Sequence, residues 1–117
     1  MKSRKYGQTK NLTHDELVHG LSLLKYVKTA LLFGSRASGT NHAQSDYDLA
    51  FEMQKLPQQH WGMQAKAWMD VCVILGVKEY DVDIIDLSNA DLYLKSAIAQ
   101  NYILLKGNRD DVPRLLS

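Results

Sequence analysis

A chain of 117 residues with a net charge of +1 has room for one core and not two, and that charge gives no global footprint for a nucleic acid. With 45% hydrophobic and 23% charged residues the composition is that of an ordinary soluble domain. No apolar run reaches membrane-spanning length, no secretory leader is visible at the N-terminus, and Cys72 has no partner for an internal disulfide, so a cytoplasmic setting is expected.

Residues 1–11 carry Lys2, Arg4, Lys5 and Lys10 and no acid. They read as a mobile basic arm, solvated or laid against an acidic partner or an RNA. Thr13 and Glu16 form a Thr-x-x-Glu capping box that opens a helix, and Leu17, Leu21 and Leu24, widened by Val18, give it an apolar stripe. His14 and His19 fall off that stripe and read as surface residues. Gly20 weakens such a helix by about 1 kcal/mol relative to alanine, and nothing in the sequence accounts for it.

Leu31-Leu32-Phe33 predicts a short buried strand, and Gly34-Ser35 a sharp turn. Ser35 to Ser38 then form the first turn of a short helix whose N–H groups suit an anion. Glycine at Gly34 lets a phosphate approach the backbone, Ser35 adds a hydroxyl, and Arg36 adds either a charged fork or a side chain in solvent. A polar loop leads to a second strand, Asp46 to Phe51. Alternation puts Asp46 and Asp48 on one face, about 7 Å apart at Cα, while Tyr47, Leu49 and Phe51 turn inward. Two carboxylates so placed repel unless a cation joins them. A hard divalent cation such as magnesium, completed by substrate phosphates, fits that donor set.

Pro57 lies in a loop, and a helix follows from about Gln58 to Leu75. Its core stripe is read as Trp61, Ala65, Trp68, Cys72 and Leu75, with Met69 alongside, and Gly76 closes it in a left-handed cap. The Cys72 thiol reads as buried and inert. Tyr80 to Leu87 is the third strand, with Val82 and Ile84 on one face and Asp81, Asp83 and Ile85 on the other. Parity leaves Asp81 and Asp83 equally placed to meet the first two acids, and Asp86 is expected to order the next turn. Ser88, paired with Asp91, is read as opening the last long helix. Tyr102 to Leu105 is a final strand, Lys106-Gly107-Asn108 a turn, and Arg109 to Ser117 a docking segment or frayed end.

Gly34-Ser35, ten residues, then Asp46-Tyr47-Asp48 resembles the GS-x10-DxD signature of polymerase-β-type nucleotidyltransferases. The short length and the FGSRASG…SDYDLA wording resemble their minimal nucleotidyltransferase (MNT) group, some of whose members are antitoxins to HEPN ribonuclease toxins. The likeness runs from about Leu31 to about Leu105. It implies an α/β (α+β) fold, a small mixed sheet with helices packed on one face, in a single domain over residues 1–117. It also places the third carboxylate in an apolar-Asp-apolar-apolar context, which Val82-Asp83-Ile84-Ile85 matches, and so selects Asp83.

By that resemblance Asp46, Asp48 and Asp83 are the catalytic and metal-binding residues of a two-Mg²⁺ site, and Gly34, Ser35, Arg36 and Ser45 hold the nucleotide. ATP is the substrate and AMP the group transferred, to a tyrosine of a HEPN-type toxin or to an acceptor presented by a helical partner. A hetero-oligomer is therefore expected, without membrane attachment or direct nucleic-acid binding. The catalytic subunit of a two-component enzyme acting on a small hydroxyl compound, and a non-catalytic antitoxin that only masks its toxin, are the alternatives. A P-loop is excluded because no Gly-Lys-Ser/Thr follows a glycine loop. The Gly-x-Ser-x-Gly elbow of a serine hydrolase is absent too, and His42 is the only base near Ser35.

Overall fold

The computed structural model describes residues 9–41, 45–55 and 62–117. Four strands form one mixed sheet: β1 (Val27–Phe33), β2 (Tyr47–Met53), β3 (Val82–Asp86) and β4 (Tyr102–Lys106). Their order is β3-β2-β1-β4, with β1 antiparallel to both neighbours and β2 parallel to β3. A parallel pair needs a crossover, and the helix Met63–Leu75 (α3) supplies it.

The central strands are apolar on both faces, and both faces are covered. Ala30, Leu32, Leu49, Phe51, Val82 and Ile84 meet Leu17 and Leu21 of α1 (His14–Ser22) and Ala67, Val71 and Leu75 of α3 (Met63–Leu75). The intervening residues Leu31 and Ala50 turn the other way, to Ile98 of α4 (Leu92–Gln100) and to Val112 and Leu116 of the C-terminal segment. The expected mixed sheet is present, but its helices occupy two faces instead of one. The tail is neither frayed nor free: a 3-10 turn at Arg109–Asp111 leads into α5 (Val112–Leu115), whose Val112 is 1% exposed.

Helix α1 starts as its sequence predicts. Thr13 Oγ1 accepts from the Glu16 N–H at 3.0 Å, and Glu16 Oε1 from the Thr13 N–H at 2.8 Å. Those bonds hold the Glu16 carboxyl below its ordinary pKa. Gly20 now has a reason: a Cβ there would lie 2.5 Å from Leu75 Cδ2, so α1 and α3 meet through the missing side chain. The first strand is longer than Leu31–Phe33 because Val27 and Thr29, both β-branched and buried, extend it backwards.

Helix α3 corrects the expected stripe. Met63, Ala67, Val71 and Leu75 face the sheet, whereas Trp68 is 37% and Met69 58% exposed, Ala65 and Cys72 are half-buried, and Trp61 lies outside the described residues. MQAKAWMDVCVIL is apolar on more than one side, so periodicity alone admits either stripe. The one used buries Ala67 completely against the sheet. The indole Nε1–H of Trp68 donates to the Glu79 carbonyl at 2.9 Å. Cys72 is half-buried, and burial followed by the charges of Glu79 and Asp81 pushes its thiol pKa up. Gly76 closes the helix at φ 66° as read from the sequence.

The last long helix begins at Leu92, not Ser88. Asp91 is its N-cap, accepting from the Leu94 N–H at 2.8 Å, while Ser88 donates its N–H and hydroxyl to Asp86 at 3.0 and 2.8 Å. Asp86 thus orders the turn, as expected. Of the basic arm, residues 1–8 lie outside the described residues; Thr9 is buried, and Lys10 Nζ donates to the Leu75 carbonyl at 3.2 Å. No helix among the described residues is long and apolar enough to cross a membrane.

Candidate active site

At the end of β1 the chain reverses at Gly34, whose φ of 75° and ψ of −158° suit glycine and few other residues. A Cβ at Gly34 would overlap Asp48 Oδ2, so backbone and carboxylate occupy adjoining space. Helix α2 (Ser35–Ser38) starts at once, its Ala37 and Ser38 N–H groups both donating to the Gly34 carbonyl at 3.1 Å. Ser35 is half-buried, and its carbonyl accepts from the Thr40 N–H at 3.0 Å.

Sheet register assembles the acids. Asp48 lies opposite Phe33 on β1 and beside Asp83 on the parallel strand β3. Asp46 is exposed just before β2, and Asp83 is exposed at the sheet edge. Asp81, the alternative by parity, is instead drawn into a 3-10 turn (Glu79–Asp81), where it is 2% exposed and Oδ2 accepts from the Lys78 N–H at 3.3 Å. Topology therefore separates the two candidates that alternation left equal.

Burial, then the charges of Asp83 and Asp46, push the Asp48 carboxyl from 3.8 up to about 6. Among the described residues no lysine or arginine pairs with Asp46, Asp48 or Asp83. That concentration of uncompensated negative charge suits a hard cation. No set of three His, Cys, Asp or Glu side chains among the described residues closes into a ready-made cage. Magnesium tolerates this, because it takes part of its shell from phosphates and water.

Tyr47, between the two acids, points into the core with 1% exposure. Its hydroxyl accepts from the Leu12 N–H at 2.7 Å and donates to the Lys10 carbonyl at 2.9 Å. The Arg36 guanidinium lies 4.1 Å from the centroid of the Tyr47 ring, donates from Nε to the Ser45 carbonyl at 2.9 Å, and reaches Asn11 Oδ1 at 3.3 Å. Arg36 therefore ties α2 to the entry of β2, and Ser45 is 7% exposed beside it. This clamp was missed because Arg36 and Tyr47 share no short-range spacing; only the fold brings them together. His42 lies outside the described residues.

A strand, a Gly-Ser turn into a short helix, and a second strand whose first carboxylate meets another across a parallel pair make up a nucleotidyltransferase-type fold. The sequence matches the family described as Polymerase beta, Nucleotidyltransferase over residues 15–111, and the chain belongs to that family. No curated protein matches it significantly. Among solved structures, a chain of a toxin–antitoxin complex with AMP-PNP is similar at a TM-score of 0.68 and 22% identity, over 90% of this chain and 82% of that one. A chain of the MntA–HepT toxin–antitoxin complex gives 0.61 at 18% identity, over 89% and 80%. The complex of tri-AMPylated Shewanella oneidensis HEPN toxin with MNT antitoxin gives 0.62 at 17%, over 89% and 81%. At these identities what is shared is the fold.

Proposed function

We propose that this chain is a magnesium-dependent nucleotidyltransferase that moves AMP from ATP to a tyrosine hydroxyl of a cognate HEPN ribonuclease toxin, and that it acts as that toxin's antitoxin. The observation that carries the reading is the register pairing of Asp48 with Asp83, with the side-chain-free backbone of Gly34 against Asp48. Family membership supports the reaction class. The choice of a protein acceptor takes its support from the AMPylated toxin in one complex of the same fold.

In this reading Gly34 and Ser35 hold the β- and γ-phosphates, with Ser45 and Arg36 bracing the strand entry beside them. Asp46, Asp48 and Asp83 would hold magnesium, which supplies charge neutralisation to the triphosphate and the departing pyrophosphate. The tyrosine oxygen attacks the α-phosphorus. Its O–P bond forms as the bond to the bridging oxygen of pyrophosphate breaks, and Asp83 draws the phenolic proton. Positioning and charge account for most of such a step. AMP on the toxin adds bulk and negative charge that oppose RNA binding.

The test is incubation with α-labelled ATP, magnesium and the product of the neighbouring gene, taken as the candidate toxin. Label on a tyrosine of that protein, abolished by Asp48→Asn, is the expected result. An Asp46→Asn/Asp48→Asn protein that still labels the partner, or still silences it with no label at all, overturns the enzymatic reading.

A further inference from the structure

Strand register sets Asp83, Asp48, Phe33 and Tyr102 in a single row across the sheet: Asp83 is beside Asp48, Asp48 opposite Phe33, and Phe33 opposite Tyr102. Residues directly opposite each other across a sheet point to the same face. That face is the one on which Leu31 and Ala50 pack with Ile98 and Val112, and Phe33 and Tyr102 join the same cluster. The acids and the Tyr102 ring therefore stand on one surface, at the end of the sheet where β1 gives way to Gly34.

Order along the row gives it a direction. Asp83 is on the edge strand β3, Asp48 on β2, Phe33 at the end of β1 and Tyr102 at the start of β4. With strands about 4.8 Å apart, Tyr102 lies one strand spacing beyond the end of β1 and two beyond Asp48. In the reading above the α-phosphorus lies over the acids, and the β- and γ-phosphates lie over Gly34 and Ser35. The triphosphate then runs from β2 toward β4 and brings its γ end alongside Tyr102. Helix α2, which Ser35 begins, is in contact with β4, so the turn and that strand are neighbours.

Tyr102 has a hydroxyl to offer. Tyr26 donates to Asp70 at 2.6 Å and Tyr47 to the Lys10 carbonyl at 2.9 Å. The Tyr102 hydroxyl has no such partner among the described residues, although its ring is half-buried on the cluster around Leu31 and Ile98. A phenol so placed has its apolar body packed and its polar tip available. Phe33 cannot bond a phosphate, so Tyr102 carries the first hydroxyl in the row beyond the acids. A hydrogen bond from it to a phosphate oxygen is charge-assisted and leaves charge neutralisation to the metal. A diphosphate seated with its α-phosphorus over the same acids ends over β1 and falls short of β4.

We infer that the Tyr102 hydroxyl binds the terminal phosphate of the nucleotide and so selects a triphosphate over a diphosphate; the inference rests on the nucleotidyltransferase reading above. The consequence is chemical. ADP on the same acids would expel inorganic phosphate, whereas ATP expels pyrophosphate. Tyr102 favours the second by holding the far end of the leaving group, and takes no part in bond making.

Two measurements on the whole chain test it. The first is calorimetry with Tyr102→Phe, which keeps the packed ring and removes only the hydroxyl. Mg-ATP and magnesium tripolyphosphate are each expected to bind the variant about tenfold more weakly, the size of one bond to a charged group, while Mg-ADP and AMP bind as they do to wild type. A variant that binds Mg-ATP normally overturns the proposal. So does an equal loss for ATP, ADP and AMP, which would trace to packing. A loss for Mg-ATP without one for tripolyphosphate would turn Tyr102 toward the base and overturn it too. The second measurement follows tyrosine labelled at Cζ by NMR in the wild-type chain. The signal that Tyr102→Phe removes is expected to shift with magnesium tripolyphosphate and stay in place with AMP; no shift with tripolyphosphate overturns the proposal. Wild-type chain that binds Mg-ATP yet transfers no AMP defeats the function proposed above, whereas these affinities still read Tyr102 by themselves.

Discussion

The two ends of strand β2 are built to opposite ends. Leu49, Ala50 and Phe51 are fully buried between helices on both sides of the sheet. One residue earlier, Asp48 shares its surroundings with Asp83 and Asp46, and burial, then those two charges, raises its proton affinity. The buried end stabilises the register that forces the acids together, and the acidic end spends part of that stability. Packing and chemistry are thus divided along seven residues of one strand.

Three substitutions sharpen or break this contrast. Phe51→Ala removes the largest side chain of the buried end and is expected to cost about 3–5 kcal/mol in denaturant unfolding. A loss under about 1 kcal/mol would mean that this end is not the anchor. Gly34→Ala meets both the unfavourable backbone angles and the Asp48 carboxylate. It is expected to cost about 1–3 kcal/mol and to weaken Mg-ATP binding in calorimetry; an alanine variant with normal binding would remove Gly34 from the cradle.

Asp48→Asn should do the reverse and stabilise the metal-free protein. The folded state holds the Asp48 proton more tightly than the unfolded chain, so between pH 4 and about 6 it binds more protons and stability falls as pH rises. The penalty is complete above pH 6 and absent below the ordinary carboxylate range. The group is half-exposed, and solvent reduces the size of the effect. Thermal melts should therefore show Asp48→Asn a few degrees above wild type at pH 7.5 and level with it near pH 4. A gain of the same size at both pH values would trace to packing and not to charge.

Where the sequence was legible, the deciding interaction was local. The Thr13–Glu16 box, the Gly76 cap, the Gly34-Ser35 turn and the inward set Tyr47, Leu49 and Phe51 each depend on neighbours a few residues away, and each is found. Where legibility failed, a distant partner decided. Trp68 lost its expected core position because α3 has apolar residues on several sides and the sheet took the one with Ala67. Asp81 and Asp83 were equal by alternation until a 3-10 turn removed the first. The tail at Val112 and Leu116 looked optional because the second apolar face it covers exists only once the sheet has formed.

The Tyr47 hydroxyl, bonded to both Leu12 and Lys10, makes the entry to the acidic strand sensitive to what happens upstream. Proteolytic trimming to Thr13 would strip both bonds from the Tyr47 hydroxyl. The same cut would remove Asn11 from Arg36. A leash that looks peripheral in the chain is, in three dimensions, the back wall of the acidic strand entry.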